Sequence, residues 1–133
     1  MRRYWLSSQF IVALLLSTLM LPLLSANSLD ISEDTTWSGN ITLDSDVVVA
    51  SGSTLTIEPG TVIDGGSGHA IEVLGSLIVE GAHFLSSASP TAQSSHGQGL
   101  WQGIIVNQGG HATLTNVTIE NANVGVKSYG SLF

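Results

Sequence analysis

Chemistry in this 133-residue chain could come from its carboxylates, its histidines and a few tryptophans, and their spacing narrows what that chemistry is. Glu58 and Glu80 close two similar phrases, Leu-Thr-Ile-Glu58 and Leu-Ile-Val-Glu80, 22 positions apart. A carboxylate pair hydrolyses a glycosidic bond when it sits at a defined separation across a groove. The third such phrase carries Thr115 instead, so the pair reads as solvated surface beside a turn. His69, His83, His96 and His111 fall at different places in the repeated pattern, and none shares a row with another, so no metal site and no cofactor is expected. Asp44, Asp46 and Asp64 offer oxygen ligands suited to calcium, but the Gly-Gly-x-Gly-x-Asp nonapeptide is absent, and Asx turns account for them better. Trp37 and Trp101 each precede x-Gly and an apolar run. An exposed indole can stack on a sugar ring, whereas the recurrence of the phrase argues for packing at the edge of a core.

The elements that must position these groups form an internal repeat. Shifted by 22, Val49, Leu55, Ile57 and Val62 fall on Ile71, Leu77, Val79 and Phe84; a further 35 carries them to Val106, Ala112, Leu114 and Ile119. Val106 recurs as Val126 after 20, and Ile71, Gly75 and Leu77 recur as Val126, Gly130 and Leu132 after 55. Apolar residues alternate with polar ones and glycines arrive every few positions, which makes strands and corners and leaves no helix. A period near 20 residues built from short strands makes a solenoid. Its inward residues are predicted to be Val47, Val49, Leu55, Ile57, Ile71, Val73, Leu77 and Val79, with Val62 and Phe84 equivalent.

Between Phe84 and Val106 the repeat opens by 13 residues, and the extra length, Ser86 to Gly99, is polar. Such an insertion loops out from one face, either as a tolerated excursion or as a binding loop. Trp101, His96 and Gln98 are the residues with which it would contact a ligand. Asn40-Ile-Thr42 and Asn116-Val-Thr118 match the N-glycosylation acceptor pattern, meaningful in a host that glycosylates asparagine, and serve equally as corner residues.

The first 26 residues read as a secretory signal. Met1-Arg-Arg is a charged start, Phe10 to Leu24 is apolar, and cleavage is expected after Ala26, with Ser28 the alternative. An uncleaved anchor is the competing reading, against which Ser7, Ser8, Gln9 and Pro22 interrupt the span. Loss of residues 1–26 removes Arg2 and Arg3 and leaves Lys127 facing ten carboxylates, a net charge of −9. So few cations exclude nucleic acid as a partner and disfavour anionic lipid or acidic polysaccharide. No membrane contact is expected beyond the signal. No cysteine is present, so an exported chain must hold together by its repeated apolar core alone. Residues 27–36 are acidic and polar and read as a linker or N-terminal cap; the solenoid is expected over 37–133. Its last rung stops at Phe133, as a fragment of a longer solenoid would, or as an edge open to end-to-end pairing.

The Gly-Ser-x-Leu-x-Ile/Val units, the phrase Leu55-Thr-Ile-Glu-Pro-Gly-Thr-Val-Ile63, Trp101-Gln-Gly-Ile104 and Leu114-Thr-Asn-Val-Thr-Ile-Glu-Asn-Ala122 resemble the right-handed parallel β-helix of pectin-lyase-like exported microbial proteins. The resemblance spans Trp37 to the end and implies an all-β, single-stranded β-solenoid of about four coils, the C-terminal one incomplete. It does not specify activity, because this scaffold carries lyases, hydrolases, adhesins and structural segments. Lyases of the family use an arginine base with aspartate-held calcium, and its hydrolases use clustered aspartates with Gly-His-Gly and Arg-x-Lys. The chain after residue 26 has no arginine, and its aspartates do not cluster. The expectation is therefore a secreted or cell-surface segment without catalysis, structural, adhesive or ligand-presenting, whose partner is a cell-surface polysaccharide or another surface protein. The alternative is the N-terminal part of a polysaccharide-acting or carbohydrate-binding protein.

Overall fold

Strands of two to five residues are too short to be stable alone, and here each gains its hydrogen bonds from the equivalent strand one turn of the chain away. The computed structural model describes residues 28–88 and 100–133, and in them the chain winds as a parallel β-helix. Its strands are β1 Ser28–Ile31, β2 Thr35–Trp37, β3 Asn40–Thr42, β4 Asp46–Val49, β5 Thr54–Ile57, β6 Val62–Asp64 and β7 Ala70–Val73. Then follow β8 Ser76–Glu80, β9 His83–Leu85, β10 Gly103–Val106, β11 His111–Thr115, β12 Thr118–Ile119, β13 Val126–Ser128 and β14 Ser131–Leu132. They form three sheets: sheet one is β1-β4-β7-β10-β13, sheet two β2-β5-β8-β11-β14, and sheet three β3-β6-β9-β12, all parallel. Four coils carry three strands each, and a fifth carries two. Among the described residues no helix is long and apolar enough to cross a membrane.

Inward side chains stack in columns: Val47, Ile71 and Ile104; Val49, Val73 and Val106; Leu55, Leu77 and Ala112; Ile63 and Phe84. All are buried. A fully buried aliphatic side chain contributes about 1.5–3 kcal/mol of transfer free energy, so this core can replace the absent disulfides.

The register departs from a single shift at two corners. Val49 pairs with Val73, and Val47 with Ile71, an offset of 24 in sheet one, while Leu55 pairs with Leu77 at 22 in sheet two. The cause is corner length: residues 50–53 join β4 to β5, whereas Leu74 and Gly75 alone join β7 to β8. The same two residues set Ile71 against Ile104 and Val106 against Ser128, not Val106 and Val126. The offset of 55 from Ile71 to Val126 and from Leu77 to Leu132 is correct. In sheet three Ile63, not Val62, is the buried partner of Phe84, and Val62 faces outward beside His83. The four-residue Glu58–Thr61 turn shrinks to Gly81-Ala82 in the next coil, and a slip of one residue exchanges the faces of a strand.

The segment expected as linker or cap also differs. Ser28–Ile31 and Thr35–Trp37 are strands of the first coil, paired to β4 and β5, so the solenoid begins before Trp37. Polar outward residues concealed the alternation of Leu29 and Ile31.

The sheet-one to sheet-two corners stack closely enough to require glycine. A Cβ on Gly75 would stand 2.2 Å from the carbonyl oxygen of Ala50, and one on Gly110 equally near that of Val73.

Candidate functional site

Three aspartates, Asp34, Asp46 and Asp64, hold backbone amides, mostly one coil further on, and a fourth, Asp30, accepts from the Ser28 hydroxyl at 3.0 Å. Asp34 Oδ1 accepts from Thr54 N at 3.0 Å and Asp46 Oδ1 from Ala70 N at 3.0 Å. Asp64 Oδ1 accepts from Gly66 N at 2.9 Å and Ser87 N at 3.2 Å, and the Ser87 hydroxyl donates to its Oδ2. That hydroxyl, against the opposing effect of partial burial and with help from the two amides, holds the Asp64 carboxyl below its ordinary value. Asx-type bonding was expected for Asp44, Asp46 and Asp64. The structure extends it across coils for Asp46 and Asp64.

The inserted polar stretch is rooted by the same corner. Ser86 is buried, with its hydroxyl donating to Gly66 O at 2.6 Å and its carbonyl accepting from Asn121 Nδ2 at 3.3 Å. On the returning side Gly68 N donates to Leu100 O and Leu100 N to Asn121 O. Ser86 and Ser87 thus belong to the frame, where the sequence suggested the start of a solvated loop. His96 and Gln98 lie outside the described residues, as do the signal segment and its cleavage point after Ala26.

Trp101 is a core residue. Its ring is fully buried and stacks on Phe84, and its Nε1 donates to Glu120 O at 2.9 Å. A ligand approaching from solvent cannot reach the indole, which corrects its candidacy as a contact. Trp37 is half-buried on β2, whereas Trp101 leads into β10, so the two Trp-x-Gly phrases sit at different corners and are not repeat equivalents.

Of the remaining candidates, Glu80 pairs with Thr115, and Glu58 lies one step beyond the Ile57–Val79 pair, so the two glutamates do form an exposed row ending in threonine. His83 Nε2 lies 2.7 Å from Glu120 Oε2 and ties the third coil to the fourth. On the outer face of sheet two Thr56, Ile78 and Thr113 stand in one row, so the threonines there do not form a continuous ladder. Asn40 and Asn116 are both exposed. Asn116 has φ of 52°, in the corner row where earlier coils hold Gly60 and Gly81 at φ 83° and 64°. Asparagine tolerates this left-handed conformation better than other residues with a Cβ, which accounts for it there.

One open groove gathers polar groups from three coils. It encloses about 530 Å³ where the chain turns from sheet three back to sheet one, between Asp44 and Asp46 on one side and Ser67 and His69 on the other, with Ser28 at its edge. His69 Nδ1 is 3.7 Å from Asp46 Oδ1, close enough for an ion pair when the ring is protonated. Among the described residues no group of three or more His, Cys, Asp or Glu is placed to hold a metal ion. The groove can accept hydrogen bonds and attract positive charge. The Ser28 hydroxyl at its edge donates to Asp30 Oδ1 at 3.0 Å. Reading from sequence missed it because Ser28, Ser45 and Ser67 belong to different coils and meet only in the corrected register; the polar runs ahead of β4 and β7 were its one available signal.

No protein-family model, no curated protein and no solved structure matches the chain. The class is therefore set by the fold alone, a parallel β-solenoid.

Proposed function

We propose that the chain is a non-catalytic segment of an exported or cell-surface β-helix, right-handed and of pectin-lyase-like type, which serves as scaffold and presents a ligand- or partner-binding surface. The observation that carries this reading is the employment of the aspartates. Asp34, Asp46 and Asp64 each hold a backbone amide, so their positions answer to corner construction, while Asp30, Glu72 and Glu120 are engaged by the side chains of Ser28, Asn107 and His83. A catalytic acid or base needs a group free to exchange a proton with substrate. Burial of Trp101 supports the same reading, since it removes the strongest candidate for stacking on a sugar. The apolar segment Phe10 to Leu24 supports export.

Fractionation of expressing cells, with incubation of the purified chain on pectin, xylan and alginate, tests the proposal. The expected result is protein at the surface or in the medium and no release of reducing ends or unsaturated products. Retention in the cytoplasm, or depolymerising activity abolished by Asp46→Asn in a still-folded variant, overturns it.

A further inference from the structure

Two cavities at the first coil share a corner. The acidic groove and an apolar cavity of about 250 Å³ are both lined by Asp44 and Ser45. The apolar one is walled by Leu29, Trp37 and Ile41, three inward residues of the first coil, with Leu43 and Val47 also lining it. Leu29 is 48% exposed, although the next three members of its column, Val47, Ile71 and Ile104, are buried. Among the described residues β1 is paired on one side only, with β4. Asp44 lines both cavities, Asp30 lies on β1, and Asp30, Glu33 and Asp34 line a third cavity at the corner between β1 and β2; no Lys or Arg occurs from residue 28 to residue 126.

We propose that this end of the solenoid docks an extended cationic segment of a partner protein, added to β1 as a further strand. Side chains of a strand alternate in direction. In such a strand one set points inward over Leu29 and into the cavity beside Trp37, and the other points outward next to Asp30 and toward the groove of Asp44. The first set must be apolar and the second Lys or Arg, because the cavity is apolar and the charged groups on β1 and at the shared corner, Asp30 and Asp44, are both negative. Main-chain bonds to β1 then provide affinity and the alternation provides selectivity. A second copy meeting through the same end is disfavoured, since its first coil brings the same carboxylates face to face. The inference rests on the partner-presenting reading above and makes its surface and partner chemistry specific.

Trp37 lines the cavity, so its fluorescence reports occupancy. The full chain, in the form in which an expressing cell releases it, is titrated with acetyl-Lys-Leu-Lys-Leu-Lys-amide, with Trp37→Phe as the blank. The expected result is a saturable change, about tenfold weaker for Leu29→Ser and about two- to fivefold weaker for Asp30→Asn or Asp44→Asn. Peptides with Glu in place of Lys, or Ser in place of Leu, should give none. No saturable response, an equal response to the Glu-Leu peptide, or indifference to all three substitutions overturns the proposal. So does concentration-dependent self-association in sedimentation that occludes the Trp37 signal, which assigns the mouth to a second copy. Peptide binding is measured independently of location and catalysis, so failure here leaves the test of the scaffold reading intact.

Discussion

The indole of Trp101 lies flat on the ring of Phe84, with centroids 6.0 Å apart and planes 8° from parallel, and Gly65 closes over it. A Cβ on Gly65 would stand 2.4 Å from Cδ2 of that indole. Truncation by Trp101→Ala should cost about 3–5 kcal/mol, and Gly65→Ala about 1–3 kcal/mol through overpacking. Urea unfolding followed by circular dichroism measures both. A cost below about 0.5 kcal/mol for each, the range of ordinary surface changes, would contradict the packing.

Asp64 ties the corner after β6 to the root of the inserted stretch, and its carboxyl is held below the ordinary value of 3.8. A lowered folded-state pKa means that its contribution to stability is complete above the unfolded value and disappears as pH falls through the folded one. The wild type should therefore lose stability between pH 5 and acid more steeply than Asp64→Asn, whose curve should be flatter there. Thermal midpoints across that range decide it; parallel curves would show that Asp64 is not so engaged.

Much of the fold could be read from sequence because the inward columns are long and apolar: Leu55 over Leu77 over Ala112 needs no knowledge of the corners. Where the chain's own corners change length the reading failed, at Val49, Val62 and Val106, since each corner resets the alternation and a constant shift cannot follow it. The site was less legible. Trp101 has the same local phrase as Trp37 but is fully buried where Trp37 is half-buried, a difference decided by Gly65 and Phe84 far from it in sequence. The groove around Asp46 and His69 is assembled from corners of different coils, so no contiguous motif announces it.

Adjacent glycines at one corner should respond differently. Gly110→Ala forces a Cβ to 2.2 Å from Val73 O, which only separation of two coils can relieve, whereas Gly109→Ala meets open space and is strained only by its φ of 87°. Gly109→Ala should cost about 1 kcal/mol and Gly110→Ala distinctly more. Equal costs in urea unfolding would contradict the close approach of the coils.

Asn116 offers a separation of conformation from chemistry. Asn116→Gly keeps the left-handed corner and removes the acceptor pattern, so stability should be unchanged or slightly raised, while Asn116→Val should lose about 1–2 kcal/mol. If both are silent, the positive φ is not needed at this corner.

The fold depends above all on the stacking of coils in register, and the lack of native cysteine allows that register to be measured directly. Thr56 and Ile78 are outward partners on β5 and β8. Directly paired positions on adjacent strands fall within the Cα separation that a disulfide can span. The double variant Thr56→Cys/Ile78→Cys should be oxidised readily by added oxidant to an intramolecular disulfide, seen as a monomer with a mass loss of two hydrogen atoms and no free thiol. Free thiols that persist under oxidant, or disulfides formed only between chains, would contradict the stack.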